Sequence, residues 1–187
     1  SNAPPPVSTD CRIAYDERAL YLGCRAADPS PGAIRAYISD RDRLEGQDRI
    51  VLGLSPHDDG RRAFLFDVNP LGVQGDAVYD EAQERPDPSW DAIWESAGRL
   101  TEDGYVVEVA VPFRSLRFPE RSGAQSWSFY LERYWPRGSA VRMQSFYEDE
   151  GEACRLCQVN RLAGLRGISS GGSIQATPTV SAARVDE

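Results

Sequence analysis

The chain has 187 residues, enough for one sizeable core, and no break in composition divides it. Its 29 acidic residues outnumber 21 basic ones for a net charge of −8, and no basic stripe interleaved with aromatics relieves them, which argues against nucleic acid as a partner. Every basic residue is arginine, so Schiff-base, P-loop and general-base lysines are excluded, and no run approaches the roughly 20 apolar residues of a membrane-spanning helix.

Ser1-Asn2-Ala3 reads as the remnant of a cleaved tag and Pro4-Pro5-Pro6 as an extended lead-in, which sets residues 1–9 apart from the domain. Arg12 to Asp28 then spells a β-hairpin together with its register. With the turn centred on Glu17 and Arg18, Tyr15 faces Leu20, Ile13 faces Leu22 and Cys11 faces Cys24, so the apolar pairs share one face of the ribbon. Asp28 to Gly32 makes a turn, Ile34 to Ile38 predicts a short strand, and Asp40 to Arg43 is a charged loop. Clean alternation returns at Ile50 to Leu54 and Ala63 to Val68, and the turn Asn69-Pro70-Leu71-Gly72 leads into Val73 to Tyr79. Residues 80–90 are polar and interrupted by Pro86 and Pro88, predicting a surface loop that delivers Trp90 and Trp94. Ile93 to Leu100 and Tyr105 to Val111 form a second hairpin across Thr101-Glu102-Asp103-Gly104. Phe113, Leu116 and Phe118 predict one helical turn over the mouth of the core. Trp127, Phe129 and Leu131 alternate with Ser128, Tyr130 and Glu132 in a long strand with a polar second face, and Leu162 to Leu165 begins a last strand. Residues 169–187 read as a flexible linker and the start of a downstream region. The pattern predicts an all-β fold, an antiparallel two-sheet β-sandwich.

Four cysteines leave two pairings to consider. Cys11 and Cys24 face each other in the hairpin register, compatible with a cross-strand disulfide or with two buried thiols. Cys154 and Cys157 form C-x-x-C, which without further zinc ligands or a βαβ context reads as a local staple or free thiols.

Enzymatic readings are weak. Gly167 to Gly171 matches G-x-S-x-G around Ser169, but a Gly/Ser linker stands where the helix of a nucleophile elbow belongs. Glu108 and Glu132 are the candidate carboxylate pair for glycoside hydrolysis, and salt bridges to arginine explain them more simply. The acidic loops offer Asp28 and Asp48 as candidate ligands for a structural calcium ion joining separate loops. Aromatics carry the stronger signal. Trp90, Trp94, Trp135 and Tyr134 fall near strand ends, where flat rings suit the apolar face of a sugar.

The ordered segments YDERALYLGCRAADP, QDRIVLGLSP, RRAFLFDVNPLGVQGD, SWDAIWE, DGYVVEVAVPFRSLRF, WSFYLERY and NRLAGLRGI resemble the family 9 carbohydrate-binding modules. More closely, they resemble the module-9-like domain that precedes a large outer-membrane-associated region in certain bacterial proteins. The resemblance spans residues 10–168. It implies a jelly-roll-like β-sandwich and a non-catalytic, secreted module, periplasmic or outer-membrane associated, that recognises a glycan or envelope polysaccharide. The alternative it leaves is a docking domain that packs on its own downstream region. In the sugar-binding modules two tryptophans clamp a terminal sugar, and the matching segments here, Arg43 to Gly46 and Cys154 to Asn160, contain none. Trp90, Trp94, Trp135 and Tyr134 would then have to serve from other positions.

Overall fold

The hairpin read from Arg12 to Asp28 forms as two strands, β1 (Thr9–Tyr15) and β2 (Ala19–Ala27), with Cys11 opposite Cys24, Ile13 opposite Leu22 and Tyr15 opposite Leu20. Asp16 fixes the turn: its carboxylate accepts the backbone N–H groups of Arg18 and Ala19 at 2.7 and 2.9 Å. The computed structural model describes residues 3–171, so the tail expected over 172–187 lies outside the described residues.

The remaining strands are β3 (Arg49–Ser55), β4 (Arg62–Val68), β5 (Gln74–Asp80), β6 (Arg85–Asp87), β7 (Glu95–Thr101), β8 (Gly104–Pro112), β9 (Gln125–Trp135), β10 (Val141–Gln144) and β11 (Asn160–Leu165). They make two antiparallel sheets. The smaller runs β1-β2-β8-β7, and the larger runs β10-β9-β3-β4-β5-β6, with β11 also pairing with β9. Leu20, Leu22, Val107 and Val109 of the small sheet meet Ile50, Leu52, Phe66 and Trp127 of the large one in a single core. Each such side chain contributes about 1.5–3 kcal/mol by leaving water. Trp127 is fully buried beneath Phe113 and Phe118, whose rings lie 5.8 and 4.9 Å from it. The expected turn over the core mouth is the 3-10 turn Phe113–Ser115.

Both cysteine pairs are disulfides: Cys11–Cys24 ties β1 to β2, and Cys154–Cys157 closes a short loop.

Two local expectations change. Ile34 to Ile38 is not a strand, because side chains take its backbone groups. Arg35 N–H donates to Asp48 and Tyr37 N–H to Gln47, both at 2.8 Å, while the Tyr37 carbonyl accepts from the buried Asn69 amide at 2.9 Å. Residues 80–90 contain the short exposed strand β6 within the expected loop, and the Trp90 that follows folds back onto the core.

Candidate functional site

Alternation along β9 sends Trp127, Phe129 and Leu131 inward and Ser128, Tyr130, Glu132 and Tyr134 to the outer face of the large sheet. Opposite Tyr130 in the ladder stands Gly53, and a Cβ there would lie 2.3 Å from the Tyr130 ring, so the absent side chain lets that ring lie across β3. Opposite Tyr134 is Arg49, whose guanidinium sits 3.7 Å from the ring centroid. Arg49 also reaches Asp67 at 3.6 Å. Burial pushes the Asp67 carboxyl up to about 7 against the opposing pull of Arg49.

A loop then returns over this face. Phe146 and Leu156 pack on Tyr130, Tyr79 and Ala63 as a second apolar cluster. The Cys154–Cys157 bridge brackets Arg155 and Leu156, and Glu81 accepts both of their backbone N–H groups, at 2.6 and 3.1 Å. Held this way, the Arg155 guanidinium lies 4.7 Å from the Tyr130 centroid and pairs with Glu132 at 2.5 Å and Glu148 at 3.2 Å. Burial works against its charge, but Glu132, Tyr130 and Glu148 hold its pKa above the usual value.

Loop and sheet enclose an open cleft of about 460 Å³ with Leu65, Tyr79, Tyr130 and Tyr134 among its walls and Glu84, Glu150 and Glu152 at its rim. A second cleft, of about 360 Å³, opens where the N-terminal segment crosses between β1 and β10, among Val7, Cys11, Ile50 and Met143. The outer-face cleft is the better candidate, because it alone of the two sets several aromatic rings beside converging charged groups.

Of the four ring residues the sequence singled out, only Tyr134 borders this cleft. Trp94 is buried, edge-on to Phe66, with its indole N–H donating to Asp76 at 3.1 Å. Trp90 is half-buried and packs on Phe64 and Phe66 at 4.8 and 5.9 Å, so the loop does not present it to solvent as a free ring. Trp135 donates its indole N–H to Asp28 at 2.9 Å. Tyr79, Tyr130, Glu132 and Arg155 were not singled out as a binding set. The polar face of β9 carried a signal for two of them, whereas Arg155 arrives from a loop with no periodicity.

Glu108 lies on the outer face of the small sheet, opposite Gly23, and Glu132 on the outer face of the large one. With the whole sandwich between them they cannot flank one glycosidic bond. Ser169 donates a hydrogen bond to Glu120 at 2.8 Å, and neither residue forms part of a nucleophile–histidine pair.

Asp28 and Asp48 do converge, as the metal reading required, but they converge on Arg137. Its guanidinium donates to Asp28 at 2.8 Å and to both oxygens of Asp48 at 2.8 and 3.2 Å, with both carboxylates fully buried. Although burial opposes it, Trp135, the Ser30 N–H and Arg137 hold Asp28 below the usual carboxylate range. With the guanidinium between them, this pair does not fit a calcium ion. A similar exchange occurs at Asp42, Asp76 and Asp91, where Arg41 grips both oxygens of Asp76 at 3.2 and 2.5 Å.

Among solved structures the chain is similar to a family 9 carbohydrate-binding module from Caldicellulosiruptor kristjanssonii in complex with cellotriose. The identity is 15%, the TM-score 0.60, and the match covers 95% of this chain and 84% of that one. The chain has the fold of the family 9 carbohydrate-binding modules. A glucose complex of a family 9 module from the same organism matches at 15% identity and TM-score 0.56 over the same shares of the two chains. A proposed carbohydrate-binding protein from Bacteroides uniformis matches at 15% and 0.61, over 84% of this chain and 78% of that one. No family model and no curated protein matches the sequence. The jelly-roll sandwich expected from the family 9 resemblance is therefore the fold observed.

Proposed function

We propose that this chain is a non-catalytic carbohydrate-binding module of a larger bacterial envelope protein, periplasmic or outer-membrane associated, and that the cleft on the large sheet holds a glycan. The observation that carries this reading is the cleft itself: the half-buried Tyr134 ring and Leu65, with Tyr79 and Tyr130 buried in its wall, beside Arg142 and Arg155, a combination of apolar surface and fixed hydrogen-bonding groups suited to a polyhydroxylated ring. Its support from outside the chain is that modules of the same fold have been seen with cellotriose and glucose. The two segments that carry tryptophans in sugar-binding modules here contribute Leu44, packed beside Gly75, and Arg155, packed on Tyr130. Recognition in this copy therefore leans on charged and phenolic groups rather than on an indole clamp.

Calorimetry against a panel of oligosaccharides tests the reading. At least one glycan binds, and Tyr134→Ala weakens it roughly fivefold, the scale of about 1 kcal/mol for an aromatic contact. No reducing sugar is released from any of them.

A second reading has its own observation. Tyr37 and Ile38 stand 59% and 80% exposed on one loop, a pair of apolar side chains suited to docking on the downstream region of the same protein. Silence toward every glycan, together with a complex between this domain and that region supplied in trans, would favour docking over sugar binding.

A further inference from the structure

The glycan reading leaves the class of sugar open, and the charges around the cleft narrow it. Among the described residues seven acidic side chains line the cleft against two arginines, Arg142 and Arg155. Both arginines face acids of the cleft itself: Arg155 pairs with Glu132 and Glu148, and Arg142 lies 3.8 and 4.0 Å from the same two carboxylates. The cleft thus carries a formal excess of five negative charges, with Glu84, Asp149, Glu150 and Glu152 exposed along its rim. Lysine is absent from the chain, and the overall charge of −8 adds to the same field. A concave site lined by one sign of charge, with apolar walls, concentrates the potential where a ligand enters.

An independent observation points the same way. Two of the tyrosines bordering this face already carry a cation on the ring, Arg49 over Tyr134 at 3.7 Å and Arg155 over Tyr130 at 4.7 Å. Both cations are the chain's own and Tyr130 is buried, so the contacts show that phenol rings beside carboxylates on this face accept a cation, with Tyr134 the ring a ligand can reach.

We infer that the ligand is an amino sugar, a glycan carrying free ammonium groups, in preference to a neutral or N-acetylated one and against any uronate or sulfated one. This rests on the cleft being the glycan site. The ammonium meets the rim carboxylates while the pyranose ring lies along Tyr134 and Leu65.

The test is calorimetry of the whole chain with four probes: a glucosamine oligomer, its N-acetylated counterpart, a galacturonate oligomer, and spermine as a cation without a sugar ring. The glucosamine oligomer binds about tenfold more tightly than the N-acetylated one, loses that advantage at high salt, and outcompetes spermine, while the uronate does not bind. Glu84→Gln combined with Glu152→Gln, both on the exposed rim and so compatible with folding, reduces the preference at least threefold, by the same screening logic. Equal binding of the neutral and amino oligomers overturns the inference and leaves the glycan reading standing. Spermine binding as tightly as the amino sugar also overturns it, since charge alone would then suffice. Silence toward all the sugars removes the glycan reading and this inference with it.

Discussion

Two arginines in this molecule do the same local chemistry in different settings. Arg137 bridges Asp28 and Asp48 beside Trp135, and Arg155 bridges Glu132 and Glu148 beside Tyr130. The two arginine side chains are almost equally covered, at 14% and 15% exposure, so burial of the side chain does not separate them. Their acids do. Asp28 and Asp48 are wholly enclosed and also accept backbone N–H groups from Ser30 and Arg35, whereas Glu148 is 26% exposed at the wall of an open cleft. One bridge closes the end of the sandwich, and the other shapes a surface that a ligand can reach. An arginine between two carboxylates is thus not in itself a sign of function; the space beside it decides.

The comparison breaks most easily at Arg137. Arg137→Met leaves the enclosed Asp48 without its cation and Asp28 with only Arg133, at 3.9 Å, and is expected to cost about 3–5 kcal/mol in chemical denaturation. A chelator leaves the wild-type melting temperature unchanged, because the resident charge is arginine. A fall in melting temperature on chelation would return Asp28 and Asp48 to the role of metal ligands.

The next effect tests whether the cleft face is as closely fitted as that closed end. Gly53→Ala drives a methyl into the Tyr130 ring and is expected to cost about 2 kcal/mol, since overpacking at a fitted site forces its neighbours aside. Gly23, on the outer face of the small sheet, has nothing within 4 Å of an added Cβ. Gly23→Ala should therefore be neutral or stabilise by a few tenths of a kcal/mol, roughly the gain from a less flexible unfolded chain. Equal effects at the two glycines would mean that Tyr130 can leave β3 freely.

Arg155→Met is expected to cost less than Arg137→Met, about 1–2 kcal/mol, because Arg142 still lies 3.8 Å from Glu132 and water reaches Glu148. Replacing Cys154 and Cys157 together by serine removes a bridge across only three positions, worth about 1.5 kcal/mol in the chain-entropy account. Both variants should change ligand affinity by a larger factor than Arg137→Met does, when compared by calorimetry at a temperature where all are folded.

These contrasts also mark what the sequence could tell. The β1–β2 register, the inward set of β9 and the Thr101 to Gly104 hairpin loop were legible, because each follows from a period of two and from turn chemistry within a few residues. Trp90 and Trp94 were misplaced for a physical reason. They follow a stretch with no periodicity, and only long-range packing on Phe64 and Phe66 reveals that the loop folds back to the core. The Asp28 and Asp48 convergence was anticipated, but not its partner, since Arg137 stands 109 and 89 positions away. Arg155 owes its place to Glu81, 74 positions earlier, through a contact no local pattern announces. Strand faces are local and readable; a cleft made where a loop settles on such a face is not.

A last contrast separates the two settings by pH. Asp67, on the cleft side of β4, has a carboxyl raised to about 7, and its buried Oδ1 has no hydrogen-bond partner among the described residues. The folded chain therefore holds a proton there that the unfolded chain releases near its ordinary value of 3.8. Its contribution to stability is complete below that value and is lost as pH rises through about 7, amounting to about 1–2 kcal/mol once partial access to water is discounted. Asp28 has the opposite sign. Its carboxyl is depressed, so the stability it contributes is present above the unfolded value and is lost as pH falls through the folded one. Denaturation of wild type and Asp67→Asn across pH 4 to 8, an interval of about four units around the Asp67 transition, should show the wild type losing stability relative to the variant as pH rises. If the difference between the two stays flat over that interval, Asp67 is solvated like an ordinary surface carboxylate, and the outer face of β4 is wetter than its packing implies.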